Sequence, residues 1–173
     1  MSEFSQSYHL RTEKKEEVIT LLKAADRHGY VFEPVNGWVA FTIKDANFNL
    51  DEEVMKQNMG LLVHYVYCED HEWSLSVVDK QEIVFEYNCD WNEDILIQPE
   101  QFDSTILHRL PTQPKPEIDL DSLLFITDLD QIFDAEASPA HQIADYIGLT
   151  HYDWLSADYI SNDPSFYEGV IEV

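Results

Sequence analysis

Basic residues are scarce in this sequence, which has ten Lys and Arg against 34 Asp and Glu and a formal net charge of -24 at pH 7. Proteins that hold nucleic acids by their phosphates need several positively charged side chains on one surface, as do proteins that bind anionic membranes. The few basic residues here are dispersed along the chain. We therefore expect no direct binding of nucleic acid and no association with anionic membranes.

Glycine and long apolar runs are also scarce. With five glycines, the chain has few positions for a phosphate-binding loop, and it lacks the motifs Gly-x-Gly-x-x-Gly, Gly-x-Ser-x-Gly and His-Glu-x-x-His. No apolar segment approaches the roughly 20 residues that span a bilayer. Residues 1–17 lack the apolar core of a secretion signal. These absences predict a cytoplasmic protein without a cofactor, and they favour a non-catalytic protein over an enzyme.

The composition is nevertheless typical of a folded protein. Hydrophobic residues make up 45% of the 173 residues and aromatic residues 13%, which is enough for one domain with a core of its own. Apolar residues recur at helical spacing over residues 13–28, which predicts a helix that ends before Gly29. A short helix is predicted over residues 49–59, with Asn49 as its N-cap.

Two segments have the alternating pattern of strands. Tyr30–Val35 and Trp38–Lys44 flank Asn36-Gly37, and this pattern predicts a hairpin with a type I′ turn. Residues 60–89 alternate through three short runs, which predicts an antiparallel meander with one apolar face. We expect the helix at residues 13–28 to cover that face, because an apolar sheet face must be buried.

Strands cluster early in the chain and helices late, which predicts an α+β fold in which an antiparallel sheet is followed by a C-terminal helical segment. We interpret residues 1–173 as a single domain. Its parts are a sheet-centred region at residues 1–110, a proline-rich connector at residues 111–116 and an acidic helical region at residues 117–173 that packs back on the sheet. Within the last region we expect a helix capped by Thr150 and a final short strand.

Negative charge is concentrated in the second half of the chain. Residues 81–173 hold 2 basic and 20 acidic residues, a net charge of 2 - 20 = -18. Such a surface suits a cationic partner, although solubility or a salt-rich host would favour the same composition. Aromatic and acidic residues interleave near the end of the chain, and rings with carboxylates are typical of an interface for a basic protein. The candidate partner-binding residues are Asp153, Asp158, Tyr159, Phe166 and Tyr167.

The first functional hypothesis is therefore a binding protein that neutralises or regulates a cationic protein, in the manner of an immunity protein or an antitoxin. The second is a nucleic-acid mimic whose carboxylates occupy the groove of a DNA-binding protein. We expect Trp154, in contrast to the candidate residues, to cover the sheet.

A third hypothesis is a small zinc-dependent or hydrolytic enzyme. Cys68, His71 and Cys89 are ligand types that zinc prefers. If Trp73 faced Tyr87 across the meander, His71 would lie opposite Cys89. His64 alternates with apolar neighbours in the first strand of the meander, and we expect it to be a packed side chain with no catalytic role.

Overall fold

The computed structural model describes residues 1–133 and 138–173, with Glu100 as backbone only. Its centre is an antiparallel sheet in which eight strands follow the order β7-β6-β5-β4-β1-β3-β2-β8. The strands are β1 (Phe4–Arg11), β2 (Gly29–Val31), β3 (Trp38–Ile43), β4 (Leu61–Cys68), β5 (Glu72–Asp79), β6 (Glu82–Asp90), β7 (Leu96–Gln101) and β8 (Ile171–Glu172). The helices are α1 (Lys15–Ala24), α2 (Glu52–Gln57), α3 (Ser104–His108), α4 (Leu120–Leu124), α5 (Leu129–Phe133), α6 (Pro139–Ile147) and α7 (Ala157–Asn162).

The predicted α+β class is confirmed, and so are the antiparallel sheet, the N-terminal helix and the C-terminal helical segment. Strands β4, β5 and β6 form the predicted meander. Asn36 and Gly37 both have positive φ, at 54° and 80°, as a type I′ turn requires. The first strand of this hairpin is shorter than predicted, because Pro34 has no N–H for a ladder, and only an isolated bridge joins Val35 to Trp38.

Two strands were absent from the sequence prediction. β1 lies in the middle of the sheet, between β4 and β3, and it joins the meander to the hairpin. One face of β1 carries Ser5, Ser7 and His9, and Gln6 interrupts the apolar residues of the other, so the sequence shows no continuous apolar face. β7 contains Pro99, a residue that is uncommon within strands. It is the outermost strand of the sheet, where a proline is tolerated.

Each face of the sheet is covered by different helices. On one face, α1 packs its Val18, Leu21 and Leu22 against a cluster that includes Phe41 and Leu62. On the other face, the apolar side of the meander is buried by side chains from the C-terminal helices, including Leu107, Leu124, Ala140, Ile143 and Ile147. The expectation that the N-terminal helix covers the meander's apolar side is therefore wrong, because the C-terminal region occupies that side.

The sheet opens between β1 and β3, and the C-terminal segment enters the opening. β1 pairs with β3 only over Tyr8–Arg11. Further along β1, the N–H of Gln6 donates to the carbonyl of Leu155 at 2.7 Å, and the N–H of Leu155 donates to Ser5 Oγ at 3.0 Å. After this segment, β8 adds the predicted final strand beside β2.

Several helix ends differ from their predicted positions. Lys14 is the N-cap of α1, and Asp51, and not Asn49, caps α2. The last helix starts after Ser156, whose Oγ accepts from the N–H of Tyr159. Thr150 is not its cap, because residues 151–155 are non-helical. None of the helices in the described part of the chain has the length and apolar run that a membrane crossing requires.

Substitution of Gly29 tests the close approach of β2 to β3. A Cβ at this position would stand 1.8 Å from the backbone oxygen of Thr42, and backbone in a paired strand has little freedom to retreat. We expect Gly29→Ala to lower the free energy of unfolding by about 3 kcal/mol in urea denaturation. Gly60→Ala is the control, because its Cβ meets only the rotatable side chain of Leu10, at 3.2 Å. Equal losses of stability in both variants would contradict this account of the contact between β2 and β3.

Candidate functional site

The turn between β4 and β5 gathers three ligand-type side chains. Cys68 ends β4 and Glu72 begins β5, and the two residues pair directly across the hairpin. His71 lies in the turn between them, and its N–H donates to the carbonyl of Cys68 at 2.9 Å. The Cys68 thiol, the His71 imidazole and the Glu72 carboxylate each place one ligand atom within 4.8 Å of the others.

Cys89 does not belong to this cluster. Trp73 pairs with Cys89, so the predicted pairing of Trp73 with Tyr87, which would have put His71 opposite Cys89, is wrong. Directly opposed residues share a sheet face, and the row through Trp73 joins Tyr67 and Cys89. The neighbouring row, through Cys68 and Glu72, lies on the other face. Both cysteines are free and buried, and the sheet separates their thiols.

The Cys68 thiol lies in strongly negative surroundings. Burial raises the pKa of Cys68 to about 12, and the carboxylates of Glu72, Glu3 and Asp70 add to this effect. The Glu72 carboxylate is oriented by Asn88, whose Nδ2 donates to Glu72 Oε2 at 3.1 Å. His71 and Glu72 are partly exposed while Cys68 is fully buried, so the cluster opens to solvent on its nitrogen and oxygen side.

The predicted partner-binding residues lie together in the C-terminal segment, at α7 and on either side of it. Asp153, Asp158 and Phe166 are exposed, and Tyr159 and Tyr167 are partly buried. The rings form a connected run, because Tyr159 is 6.0 Å from Trp154, Tyr167 is 5.4 Å from Phe166, and the Tyr167 hydroxyl donates to the Trp154 carbonyl at 3.1 Å. We call this patch the acidic-aromatic surface; it comprises Asp153, Trp154, Asp158, Tyr159, Asp163, Phe166, Tyr167 and Glu168.

Trp154 belongs to this surface, and the expectation that it covers the sheet is wrong. Its side chain is 40% exposed, and its φ of 48° is left-handed backbone, which is strained for a bulky residue. Two hydrogen bonds hold it there: its N–H donates to Glu3 Oε1 at 2.7 Å, and its carbonyl accepts from Tyr167. Glu3 is 4% exposed and also accepts from Ser5 Oγ at 2.5 Å.

A pocket of about 320 Å³ adjoins the acidic-aromatic surface where the sheet opens. Rings of Phe4, Phe48 and Tyr159 line it, and it is also lined by the exposed acids Asp45 and Asp158. Sequence reasoning missed Asp45 and Phe48, which lie in the loop after β3, because only the folded chain brings that loop beside α7. An aromatic pocket that also offers carboxylates suits the long side chain of Lys or Arg.

The charge of this surface is not neutralised by the protein's own cations. Among the described residues, Lys and Arg form ion pairs with acids elsewhere in the molecule: Lys15 with Glu33, Arg27 with Asp51, Lys44 with Glu172 and Lys56 with Glu53. None of these pairs involves an acid of the acidic-aromatic surface. Residues 116–173 contain 13 acidic residues and neither Lys nor Arg.

The described residues also contain a serine–histidine contact, but it is sealed from solvent. Ser7 Oγ lies 2.8 Å from His9 Nε2, and the two residues are 0% and 1% exposed. Burial and the nearby His151 and His64 lower the pKa of His9 to about 3. His64 is packed as expected: it is 2% exposed, its ring stacks on Tyr8, and its Nε2 lies 2.9 Å from Gln6 Oε1.

Comparison with known protein families, with curated proteins and with solved structures finds no match to this chain. The two candidate sites are therefore interpreted from their own geometry.

Substitution of Glu3 tests whether its carboxylate stabilises the backbone that carries Trp154. Replacing its buried carboxylate leaves the Trp154 N–H and the Ser5 hydroxyl without their acceptor. We expect Glu3→Ala to lower the free energy of unfolding by about 3 kcal/mol, and Glu3→Gln by less because the amide oxygen still accepts. Urea denaturation measures both, with the exposed Glu13→Ala as the control. A loss in Glu3→Ala no larger than that in the control would contradict this role.

The two buried histidines predict acid sensitivity. In the unfolded chain a histidine binds its proton near pH 6.5, whereas burial lowers the pKa of His9 and of His64 to about 3. Between these values the unfolded state binds more protons, so stability is highest above about pH 6.5 and falls as the pH drops. Each histidine lowers the free energy of unfolding by about 2 kcal/mol as the pH falls from 7 to 5. Most carboxylates remain ionised over this range, so they contribute little to the change.

Urea denaturation at the two pH values measures this loss. His64→Asn should remove about half of the pH dependence, whereas His28→Asn, at an exposed position, should leave it unchanged. A pH dependence that is the same in all three proteins would contradict the assignment to the buried histidines.

Proposed function

We propose that this protein binds a cationic protein and thereby neutralises or regulates it, in the manner of an immunity protein or an antitoxin. The contact area is the acidic-aromatic surface together with the adjoining pocket. The observation that carries the proposal is the pocket itself, in which Asp45 and Asp158 stand beside the rings of Phe4, Phe48 and Tyr159. A basic side chain placed there gains ring contacts along its length and a carboxylate at its charged end.

The charge distribution supports a positively charged partner. Carboxylates without a cation of their own attract an oppositely charged protein over a distance, which raises the association rate. The described ion pairs of Lys and Arg include none of the carboxylates of this surface, which belong to Asp153, Asp158, Asp163 and Glu168. Steering of this kind acts before contact, so it governs how fast the complex forms.

The exposed rings support a complex that lasts. Trp154 and Phe166 are 40% and 78% exposed, and large rings that become buried at the centre of an interface contribute much of the binding energy. Trp154 is also fixed before binding, because Glu3 and Tyr167 hold its backbone on both sides. Backbone that is already ordered loses less entropy when the partner covers it. The rings would therefore govern how slowly the complex dissociates.

The test begins with capture of a partner from an extract of the source organism on immobilised protein, followed by kinetic measurement with the purified partner. We expect a basic protein whose association slows with added salt. Asp153→Lys/Asp158→Lys should slow association by about tenfold, and Trp154→Ala should speed dissociation by about thirtyfold, the loss of a contact worth about 2 kcal/mol.

Glu13→Lys/Glu52→Lys is the matched control, because it makes the same change in net charge at exposed positions near α1 and α2. If this control slows association as much as the double reversal on the acidic-aromatic surface, net charge and not the surface attracts the partner. Association that is indifferent to salt would reject the proposal. If the captured protein binds DNA and DNA competes for the same surface, nucleic-acid mimicry is the correct form of the function.

A further inference from the structure

We propose that Cys68, His71 and Glu72 bind one divalent cation of the zinc class at the end of the β4–β5 hairpin. The inference is independent of the partner-binding surface, because no residue of that surface belongs to the cluster. It replaces the zinc site that the sequence suggested, since Glu72 takes the place of Cys89.

The first argument is distance. Zinc binds its nitrogen, oxygen and sulfur ligands at about 2.0–2.3 Å, so tetrahedral ligands lie about 3.6 Å from one another. The three ligand atoms are already within 4.8 Å of one another. Closing the remaining gap of about 1 Å requires only rotation of the partly exposed His71 and Glu72 side chains, because the hairpin fixes the backbone that carries them.

The second argument is the chemistry of the donors. A thiolate and an imidazole favour zinc or cobalt over magnesium or calcium, which prefer oxygen ligands alone. One carboxylate completes a set of three protein ligands and leaves a fourth position for water, as in zinc sites that remain open to solvent. The buried thiol forms the inner side of the cluster, and the two partly exposed ligands form its outer side.

The third argument is the surroundings of the ligands. Asn88 donates to Glu72 Oε2, which leaves the other carboxylate oxygen available and orients it, as the partners of metal ligands commonly do. Asp90 pairs with Glu72 on the same sheet face, and Asp70 lies in the turn. These carboxylates concentrate negative charge where a cation would sit, so binding a cation relieves their mutual repulsion.

Cobalt(II) is the probe, because its bond to a thiolate gives a charge-transfer band that zinc lacks. We expect one equivalent of cobalt per chain to produce this band, together with the intense visible bands of tetrahedral cobalt, and one equivalent of zinc to abolish both. Cys68→Ala should remove the charge-transfer band. His71→Asn and Glu72→Gln should weaken cobalt binding by at least about a hundredfold, more than the ten- to hundredfold typical of residues that only orient a ligand.

The substitutions of the three ligands must lower cobalt binding without unfolding the protein. His71 and Glu72 are partly exposed, so their substitutions leave the core intact, and circular dichroism verifies this for Cys68→Ala. Cys89→Ala is the matched control, since it removes the other buried thiol, from the opposite face of the sheet, and should leave the cobalt spectrum unchanged. Absence of a charge-transfer band in the folded wild-type protein, or its loss in Cys89→Ala but not in Cys68→Ala, would overturn the proposal.

Discussion

The polar side of β1 is the constraint on which the rest of this architecture depends. Glu3, Ser5, Ser7 and His9 are buried in or beside the middle of an eight-stranded sheet, where a polar group without a partner costs more than its hydrogen bond returns. Ser7 and His9 hydrogen-bond to one another, and Ser5 Oγ donates to Glu3. The Glu3 carboxylate and the Ser5 oxygen also accept hydrogen bonds from donors elsewhere in the chain. Residues 154–155 supply them with two backbone N–H groups. The C-terminal segment must therefore run along this part of β1, and that path places Trp154 at the surface in a left-handed conformation.

This constraint also explains which parts of the fold the sequence predicts. The meander and the hairpin have an apolar alternation that is visible locally, and the turn residues Asn36-Gly37 fix their own backbone. β1 has no such signal, because Glu3 and Ser5 accept hydrogen bonds from residues about 150 positions away. The cover of the meander was mispredicted for a related reason. The α1 stripe and the C-terminal stripes are both apolar, and nothing local says which of them packs on which side of the sheet.

The sites follow the same pattern. The positions of Asp153, Asp158 and Phe166 on the surface were predictable from their interleaving with polar residues, but the pocket beside them required the loop after β3, which approaches only in the folded chain.

The ligand cluster was predictable in part. Strand alternation alone separates Cys68, next to Tyr67, from Cys89, which shares the face of Tyr67 and Trp73. The pairing of Cys68 with Glu72 follows once the short turn is recognised. The register of β6 was harder, because a bulge between Val77 and Val78 shifts it.

The two candidate sites meet at residues 2–4. On one side, Ser2 Oγ donates to Asp70, the N–H of Glu3 donates to Glu69 Oε2, and the Phe4 ring lies 5.8 Å from that of His71. On the other side, the Glu3 carboxylate holds Trp154, and the N–H of Phe4 donates to the Tyr159 hydroxyl. The turn that carries His71 and the backbone that presents the exposed rings are thus anchored to the same three residues. The two sites, although they lie on different elements, therefore have one structural support, and that support is the strand whose polar side chains set the path of the chain around it.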